Sequence, residues 1–256
     1  MKVIILAGGL GTRLSEETSV KPKPMVEIGG IPILMHIMQI YSHYGFDDFY
    51  VALGYKGAYI KDYFLNFHNR NSDLQIDLES GSVQNQKKAP FNWKVNLIDT
   101  GMDSMTGGRL LRLKKHLKNE PFMLTYGDGV ANIDVKKLVE FHKSHGRIGT
   151  VSAVRPSARF GAIKFDGDHV VSFREKKQTD EGWINGGFFV FNPEIFDFLT
   201  DDKTVLEEHP LETLAKKGQL MSYKHHDYWQ CMDTLRDKRM LENLWSEKKA
   251  PWKVWK

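Results

Sequence analysis

The chain has 256 residues, of which 41% are hydrophobic and 12% aromatic, enough for a substantial core and too many for a disordered chain. Its net charge of +4 comes from 36 basic and 32 acidic residues without a long basic run, which argues against a nucleic-acid partner. The single cysteine excludes an internal disulfide and a cysteine-based zinc site. Because the first apolar run is too short for a signal peptide and no run reaches the ~20 residues that span a bilayer, we expect a soluble, cytoplasmic protein with no membrane partner.

The chain opens with Val3-Ile4-Ile5-Leu6-Ala7, an apolar run that predicts a strand buried on both faces. The turn Gly8-Gly9-Leu10-Gly11-Thr12-Arg13 follows. Its glycines allow backbone N–H groups to approach an anion closely, and Arg13 adds a forked donor for phosphate oxygens. The turn matches neither the Walker A pattern nor the dinucleotide fingerprint. It predicts phosphate binding of another kind, and the alternative is a glycine turn with a surface arginine.

Two prolines stiffen the next segment, residues 21–24, which places Lys21 and Lys23 either beside the phosphates or on an exposed basic loop. Apolar periodicity then predicts a helix, a buried strand and a second helix, over residues 33–41, 49–53 and 57–67. Strands that alternate with helices indicate a doubly wound parallel sheet. Ligands in such sheets lie beyond the carboxyl ends of the strands, where the glycine-rich turn also lies.

A second glycine- and hydroxyl-rich loop, residues 99–110, follows a short strand over 95–98 and leads into a helix that runs to about Leu117. It is either a turn with a helix cap or a loop whose backbone and Thr100 read the edge of a nucleobase. The next strand ends in Gly127-Asp128-Gly129, which places a carboxylate at the carboxyl end of a strand. A hard oxygen ligand there suits Mg²⁺, and the structural alternative is an aspartate in a tight turn.

The pattern changes in the second half of the chain. A β-hairpin over residues 160–173 leads into the charged run Arg174-Glu175-Lys176-Lys177 and then a strand over 183–191. We interpret this region as an insertion that forms the wall of a pocket, although such a charged run is also typical of a solvated surface. The helices predicted around it cover residues 133–145, 194–199, 206–217 and 235–246.

The end of the chain carries two further features. Asp233 directly precedes the last helix, and sequence alone favours an N-cap there over a second Mg²⁺ ligand. The tail contains Trp252 and Trp255, which we expect to pack against the body of the protein or against another subunit.

Taken in order, these motifs resemble the signature of sugar-1-phosphate nucleotidylyltransferases. The matching motifs are Leu6-Ala7-Gly8-Gly9-x-Gly11-Thr12-Arg13-Leu14, Lys21-Pro22-Lys23-Pro24-Met25, Gly127-Asp128, Phe160-Gly161, Arg174-Glu175-Lys176, Asn185-Gly186-Gly187 and Asp233-Thr234. They cover nearly the whole chain to about residue 235. The intervals 99–109 and 175–187 look like the branch of the family that uses CTP rather than dTTP or UTP.

The resemblance implies a Rossmann-like α/β fold, a doubly wound mixed sheet that is mostly parallel, with an inserted β-rich sugar-binding region. It implies one domain over residues 1–256, with a nucleotide-binding half over about 1–130, a sugar-binding half over 131–235 and a C-terminal helix and tail over 236–256. It also implies a homo-oligomer that transfers CMP from CTP to glucose 1-phosphate with Mg²⁺, as part of nucleotide-sugar synthesis for lipopolysaccharide.

The same resemblance implies roles for individual residues. Arg13, Lys23 and Asp128 would be catalytic, and Asp128 and Asp233 would hold Mg²⁺. The residues implied to bind the nucleotide are Leu6, Ala7, Gly8, Gly9, Gly11, Thr12, Arg13, Lys23, Thr100, Gly107 and Arg109. Those implied to bind the sugar phosphate are Gly161, Glu175, Lys176 and Asn185.

One departure from the family pattern leaves a choice open. The family usually has Glu-Lys-Pro where this chain has Glu175-Lys176-Lys177, so either lysine can meet the sugar phosphate. Two alternatives also stand for the activity: the same transfer from UTP or dTTP, and a nucleotide-sugar sensor without turnover. The presence of both Asp128 and Asp233 argues against a sensor, which has less need of a metal pair.

Overall fold

The computed structural model describes residues 1–85, 91–117, 119–156, 162–166, 169–174 and 182–255. Its strands are β1 (Val3–Ala7), β2 (Glu27–Ile28), β3 (Ile31–Pro32), β4 (Asp48–Leu53), β5 (Leu74–Ile76), β6 (Val83–Asn85), β7 (Lys94–Asp99), β8 (Phe122–Tyr126), β9 (Gly129–Ala131), β10 (Gly149–Val154), β11 (Ala162–Asp166), β12 (His169–Arg174), β13 (Ile184–Phe191), β14 (Leu220–Lys224) and β15 (Trp229–Cys231). Its α-helices are α1 (Ser15–Thr18), α2 (Ile33–His43), α3 (Gly57–Leu65), α4 (Phe67–Arg70), α5 (Thr106–Arg112), α6 (Val135–His145), α7 (His209–Lys216) and α8 (Leu235–Ser246).

The central sheet of the described chain has seven strands in the order β14-β10-β13-β8-β1-β4-β7. Strand β13 is antiparallel to both of its neighbours, and every other pair in the sheet is parallel. The carboxyl ends of β1, β4, β7 and β8 therefore meet at one edge of the sheet. This architecture confirms the expected mostly parallel, doubly wound α/β fold.

Strand β1 shows why both faces of the sheet are covered. All of its five residues are buried. Val3 and Ile5 belong to a core that the sheet forms with α2, α6 and α8, whereas Ile4 and Leu6 belong to a core with α5 and α7. Because successive side chains of a strand point to opposite faces, a continuous apolar run requires an apolar layer on each side.

Several elements differ in extent from the sequence prediction. The helix predicted over 206–217 begins at His209, because Pro210 has no N–H and fits the first turn of a helix. The segment predicted as a helix over 194–199 is a 3₁₀ helix, Pro193–Phe198. The helix predicted to reach Leu117 ends at Arg112 and is followed by the 3₁₀ turn Lys114–His116. No described helix combines the length and the apolar character that a membrane span requires.

The tryptophan-rich tail packs against the body of the protein. Trp252 is 1% exposed and its indole donates to Nδ1 of His36, an α2 residue that is itself fully buried. The Nε2 atom of His36 lies 2.9 Å from the carbonyl oxygen of Ile28, and Trp245 meets the imidazole ring edge-on. The neutral imidazole therefore satisfies both of its nitrogens inside an aromatic cluster.

This cluster predicts an acid-sensitive contribution to stability. Burial lowers the pKa of His36 to about 4, so between that value and the pKa of the unfolded chain, about 6.5, the unfolded state binds the extra proton. The His36 contribution to the free energy of unfolding should be complete above about pH 6.5 and lower by about 2 kcal/mol at pH 5. Denaturant titrations of wild type and His36→Gln at both pH values test this: the difference between the two proteins should shrink by that amount in acid, and a constant difference contradicts it.

Candidate active site

Two aspartates meet because a small ribbon brings them to the same place. Strands β9 and β15 are antiparallel, with Gly129 opposite Cys231, and the N–H of Met232 donates to the carbonyl of Asp128 at 2.8 Å. This pairing sets Asp128, one residue before β9, beside Asp233, two residues after β15. Both carboxylates lie beyond the carboxyl end of β8, as expected for a ligand site in such a sheet.

The ammonium group of Lys23 lies between these two carboxylates. Its Nζ donates to Oδ2 of Asp128 and to Oδ1 of Asp233, each at 2.7 Å, and Arg13 forms a second ion pair with Asp233. Burial lowers the pKa of Lys23, but the two carboxylates outweigh burial and raise it overall. Lys23 is therefore a fully charged, partly buried cation at neutral pH.

The glycine-rich turn brings Arg13 and Lys23 together. Gly11 has φ +65°, and a Cβ at this position would lie 2.9 Å from the Thr18 side chain and 3.1 Å from Cβ of Lys23. The hydroxyl of Thr18 donates to the Gly11 carbonyl at 3.1 Å. Glycine is thus required at position 11 both for its backbone conformation and for the close approach of Lys23.

Arg109 joins three loops beneath the turn. Its buried guanidinium donates to carbonyl or hydroxyl oxygens at 2.7 to 3.1 Å, those of Gly8, Leu53, Thr100, Gly101 and Met102. A Cβ at Gly8 would lie 2.2 Å from Nη1 of Arg109, and one at Gly54 would lie 2.4 Å away. The glycine at position 8 therefore makes room for Arg109, a reason that the sequence did not reveal.

We predict that alanine substitutions at two adjacent glycines lower the free energy of unfolding by very different amounts. Gly8→Ala should displace the Arg109 guanidinium and lower the free energy of unfolding by about 2 kcal/mol, as overpacking does. Gly9→Ala is the matched control, because a Cβ there has no described heavy atom within 4 Å, and it should cost less than about 0.5 kcal/mol. Urea unfolding of both variants gives the comparison, and equal stability of the two would contradict this account of Gly8.

A cavity of about 640 Å³ opens above these groups. Nine of the residues predicted to bind the nucleotide line this cavity: Leu6, Ala7, Gly8, Gly9, Gly11, Thr12, Arg13, Lys23 and Arg109. Its opposite wall is formed by residues 102–105, by Thr106 at the start of α5 and by Lys203. The predicted glycine-rich turn and the predicted second loop thus face each other across one space.

Thr100 and Gly107, the residues predicted to read the base, are not among the residues that line the cavity, and their role stays a prediction. The Thr100 hydroxyl is fully buried, donates to the Leu53 carbonyl at 2.6 Å and accepts from Arg109. The N–H of Gly107 donates to the carbonyl of Thr204 at 2.9 Å. Both residues flank the segment over 102–106, which borders the cavity.

Sequence reasoning missed two other residues that line the cavity. Tyr126 is the last residue of β8, and its position directly before Gly127-Asp128 at the carboxyl end of a strand is a signal that can find it. Lys203 reaches the carbonyl of Asp103 at 3.5 Å across 100 residues of sequence. No local pattern identifies a contact of that separation.

A smaller cavity of about 150 Å³ adjoins the first, and Gly186, Gly187 and Trp229 contribute to its wall. The residues that border both cavities are Arg13, Tyr126, Asp128 and Asp233. The charged cluster therefore lies at the junction of a large and a small cavity.

A family model described as nucleotidyl transferase matches residues 2–246. The chain belongs to this family. It is 53% identical over 256 residues to "Glucose-1-phosphate cytidylyltransferase" of Salmonella typhi and 43% identical over 256 residues to "Probable glucose-1-phosphate cytidylyltransferase" of Bacillus subtilis, with all of each chain covered. A solved structure of a putative glucose-1-phosphate thymidylyltransferase from Bacillus anthracis shares the fold, with a TM-score of 0.70, 16% identity and 100% and 98% of the two chains covered.

Of the residues predicted to bind the sugar phosphate in this nucleotidyltransferase, only Asn185 lies within the described part of the chain. Its Nδ2 donates to the Tyr126 hydroxyl at 3.1 Å, and its Oδ1 accepts from the N–H of Gly187 at 2.8 Å. Gly161, Glu175, Lys176 and the alternative Lys177 lie outside the described residues, and their roles stay predictions.

The N-cap predicted at Asp233 is one residue later. Thr234 caps α8 in a reciprocal capping box with Asp237, and the Asp237 carboxylate also accepts from the N–H of Asp233. The cap interpretation of Asp233 is therefore wrong, because its neighbour performs this role. The Asp233 side chain is turned instead to Lys23 and Arg13.

The acidic pair suits a divalent cation of the kind this family uses. Within the described residues, no group of three or more His, Cys, Asp or Glu side chains is placed to hold a metal ion. Asp128 and Asp233 provide hard oxygen ligands on either side of the Lys23 ammonium. Magnesium is commonly held by one or two carboxylates, with water and substrate phosphates as the other ligands.

Proposed function

We propose that this nucleotidyltransferase is a glucose-1-phosphate cytidylyltransferase, which converts CTP and α-D-glucose 1-phosphate into CDP-glucose and pyrophosphate. The observation that carries the chemistry is the Lys23–Asp128–Asp233 cluster at the junction of two cavities of unequal size. The choice of CTP and glucose rests on the full-length likeness to the Salmonella and Bacillus relatives.

The reaction requires alignment and charge neutralisation rather than a general base. The phosphate of the sugar is already a nucleophile at neutral pH, and one of its oxygens attacks the α-phosphorus of CTP. The bond from the α-phosphorus to the bridging oxygen breaks, and pyrophosphate leaves. In this proposal the large cavity holds CTP, the small one holds the sugar phosphate, and Arg13 and Lys23 offset the charge that develops.

Asp128 and Asp233 are proposed to hold Mg²⁺, which when bound supplies Lewis-acid stabilisation of the phosphate oxygens. Lys23 donates to both carboxylates in this structure. An ammonium has three donors, so its third N–H is left for a phosphate of the triphosphate proposed for the large cavity.

Pyrophosphate release from CTP, UTP, dTTP and ATP, each with glucose 1-phosphate and Mg²⁺, tests the proposal. We expect release with CTP to exceed release with every other nucleotide. Greater release with UTP or dTTP would keep the transfer chemistry and overturn the base assignment. Nucleotide binding without turnover of any pair would favour the sensor. The homo-oligomer and the cytoplasmic location stay predictions.

A further inference from the structure

The Glu207 carboxylate contacts both walls of the site. Its Oε2 accepts from the hydroxyl of Thr106 at 2.6 Å, and its Oε1 accepts from the hydroxyl of Tyr126. Thr106, the first residue of α5, lines the large cavity, and Tyr126 borders both cavities. One half-buried side chain thus connects elements that lie 101 and 81 residues away in sequence.

Each of the two hydroxyls accepts a hydrogen bond from another group and donates its own O–H to Glu207. The Thr106 hydroxyl accepts from the N–H of Leu206 at 2.9 Å and donates to the Glu207 carboxylate. Likewise the Asn185 amide donates to the Tyr126 hydroxyl, which donates to Glu207. Each hydroxyl therefore needs an acceptor, and an ionised carboxylate offers two oxygens that only accept.

One end of this network is Asn185, a predicted sugar-phosphate contact, and the other is the segment over 102–106, which lines the large cavity. Asn185 is oriented from both sides, by Tyr126 and by the N–H of Gly187. Gly187 has φ +79°, and a Cβ there would lie 2.6 Å from the Tyr126 ring, so ring and backbone are in direct contact. At the other end of the network, the segment just before Glu207 also binds the segment over 102–106 through its backbone. The carbonyl of Asp202 accepts from the N–H of Met105 at 2.8 Å.

We propose that Glu207 is a positioning residue that couples the two substrate sites. Through Thr106 it holds the start of α5, which lines the large cavity, and through Tyr126 it holds Asn185, a predicted sugar-phosphate contact. The inference rests on the proposed function in that one site takes a nucleoside triphosphate and the other a sugar phosphate. In this inference the Glu207 carboxylate determines how the two substrates are placed relative to each other.

The test uses variants that each remove one hydroxyl, and so separates the Glu207–Thr106 contact from the Glu207–Tyr126–Asn185 contacts. Tyr126→Phe should raise KM for glucose 1-phosphate about tenfold, the effect of one hydrogen bond to a charged acceptor. It should change the nucleotide Kd much less, because the ring that borders the large cavity is kept. Thr106→Val should weaken nucleotide binding by a similar factor without a change in KM for the sugar phosphate, and Thr106→Ser should restore it. Glu207→Gln should impair both constants, because an amide offers one acceptor where two are needed.

Glu208→Gln is the matched control, since this neighbour is exposed and should leave both constants and the melting temperature unchanged. Combined with Tyr126→Phe, Glu207→Gln should raise KM for the sugar phosphate no further than either single change. Additive effects, or a Glu207→Gln variant that is only less thermostable with both constants unchanged, would overturn the coupling.

Failure of the proposed function has a different signature. If wild type prefers another nucleotide, the same constants are measured with the preferred pair. If wild type turns over no pair, calorimetric Kd values for CTP and glucose 1-phosphate are measured instead of the kinetic constants. In every case the inference is decided by whether Tyr126→Phe and Thr106→Val each weaken the binding of one substrate while Glu207→Gln weakens the binding of both.

Discussion

Lys23→Ala is expected to lower kcat by about 10²–10³-fold, the usual effect of removing one donor that stabilises developing charge, while the protein stays folded. The same change should tighten the binding of a divalent cation to the free protein about tenfold or more. The ammonium lies 2.7 Å from both Asp128 and Asp233 and therefore competes electrostatically with any metal for this pair. Turnover and metal affinity should thus change in opposite directions.

Lys21→Ala is the matched control for this prediction. Lys21 lies on the same proline-stiffened segment, but its ammonium pairs with Glu27 at 3.1 Å and does not line either cavity. We expect its kcat and metal affinity to match those of wild type. Steady-state kinetics and a Mn²⁺ titration followed by electron paramagnetic resonance measure both quantities. Near-normal turnover of Lys23→Ala would remove its catalytic role, and an unchanged Mn²⁺ affinity would remove the competition.

The sequence predicted well what depends on local pattern. The buried run of β1, the glycine-rich turn after it and the helix over 235–246 were all expected within one or two residues. Periodicity, capping residues and glycines act over a few neighbouring positions, so one sequence contains them. The same reasoning explains why Asp128 was expected at the carboxyl end of a strand.

It predicted less well what depends on long-range contacts. The insertion of antiparallel β13 between β8 and β10 follows from packing among distant strands, which no local period encodes. Arg109 was expected to contact the nucleotide, which stays a prediction, whereas its bonds to the oxygens of three separate loops were not expected. Glu207 has no sequence signal at all, because its partners Thr106 and Tyr126 come from other parts of the chain.

Asp233 and Thr234 offer the sharpest separation of function from stability, because the two residues are adjacent. Asp233→Asn should lower kcat by about 10²–10³-fold and weaken Mn²⁺ binding, since it removes one of the two charged oxygen ligands proposed for the metal. It should leave the cap of α8 and the fold in place, because the backbone N–H of Asp233 still donates to Asp237 and Lys23 keeps its pair with Asp128.

Thr234→Ala should give the reverse result. It removes the side chain that caps α8 at the N–H of Asp237, which should lower the free energy of unfolding by about 1 kcal/mol and leave kcat unchanged. Kinetics and urea unfolding of the two variants side by side decide the matter. If Asp233→Asn loses stability and keeps its turnover, Asp233 acts as a structural residue after all and the metal site must lie elsewhere. Because a resemblance places both residues in one motif, only such a paired measurement assigns the chemistry to the carboxylate and the cap to the hydroxyl.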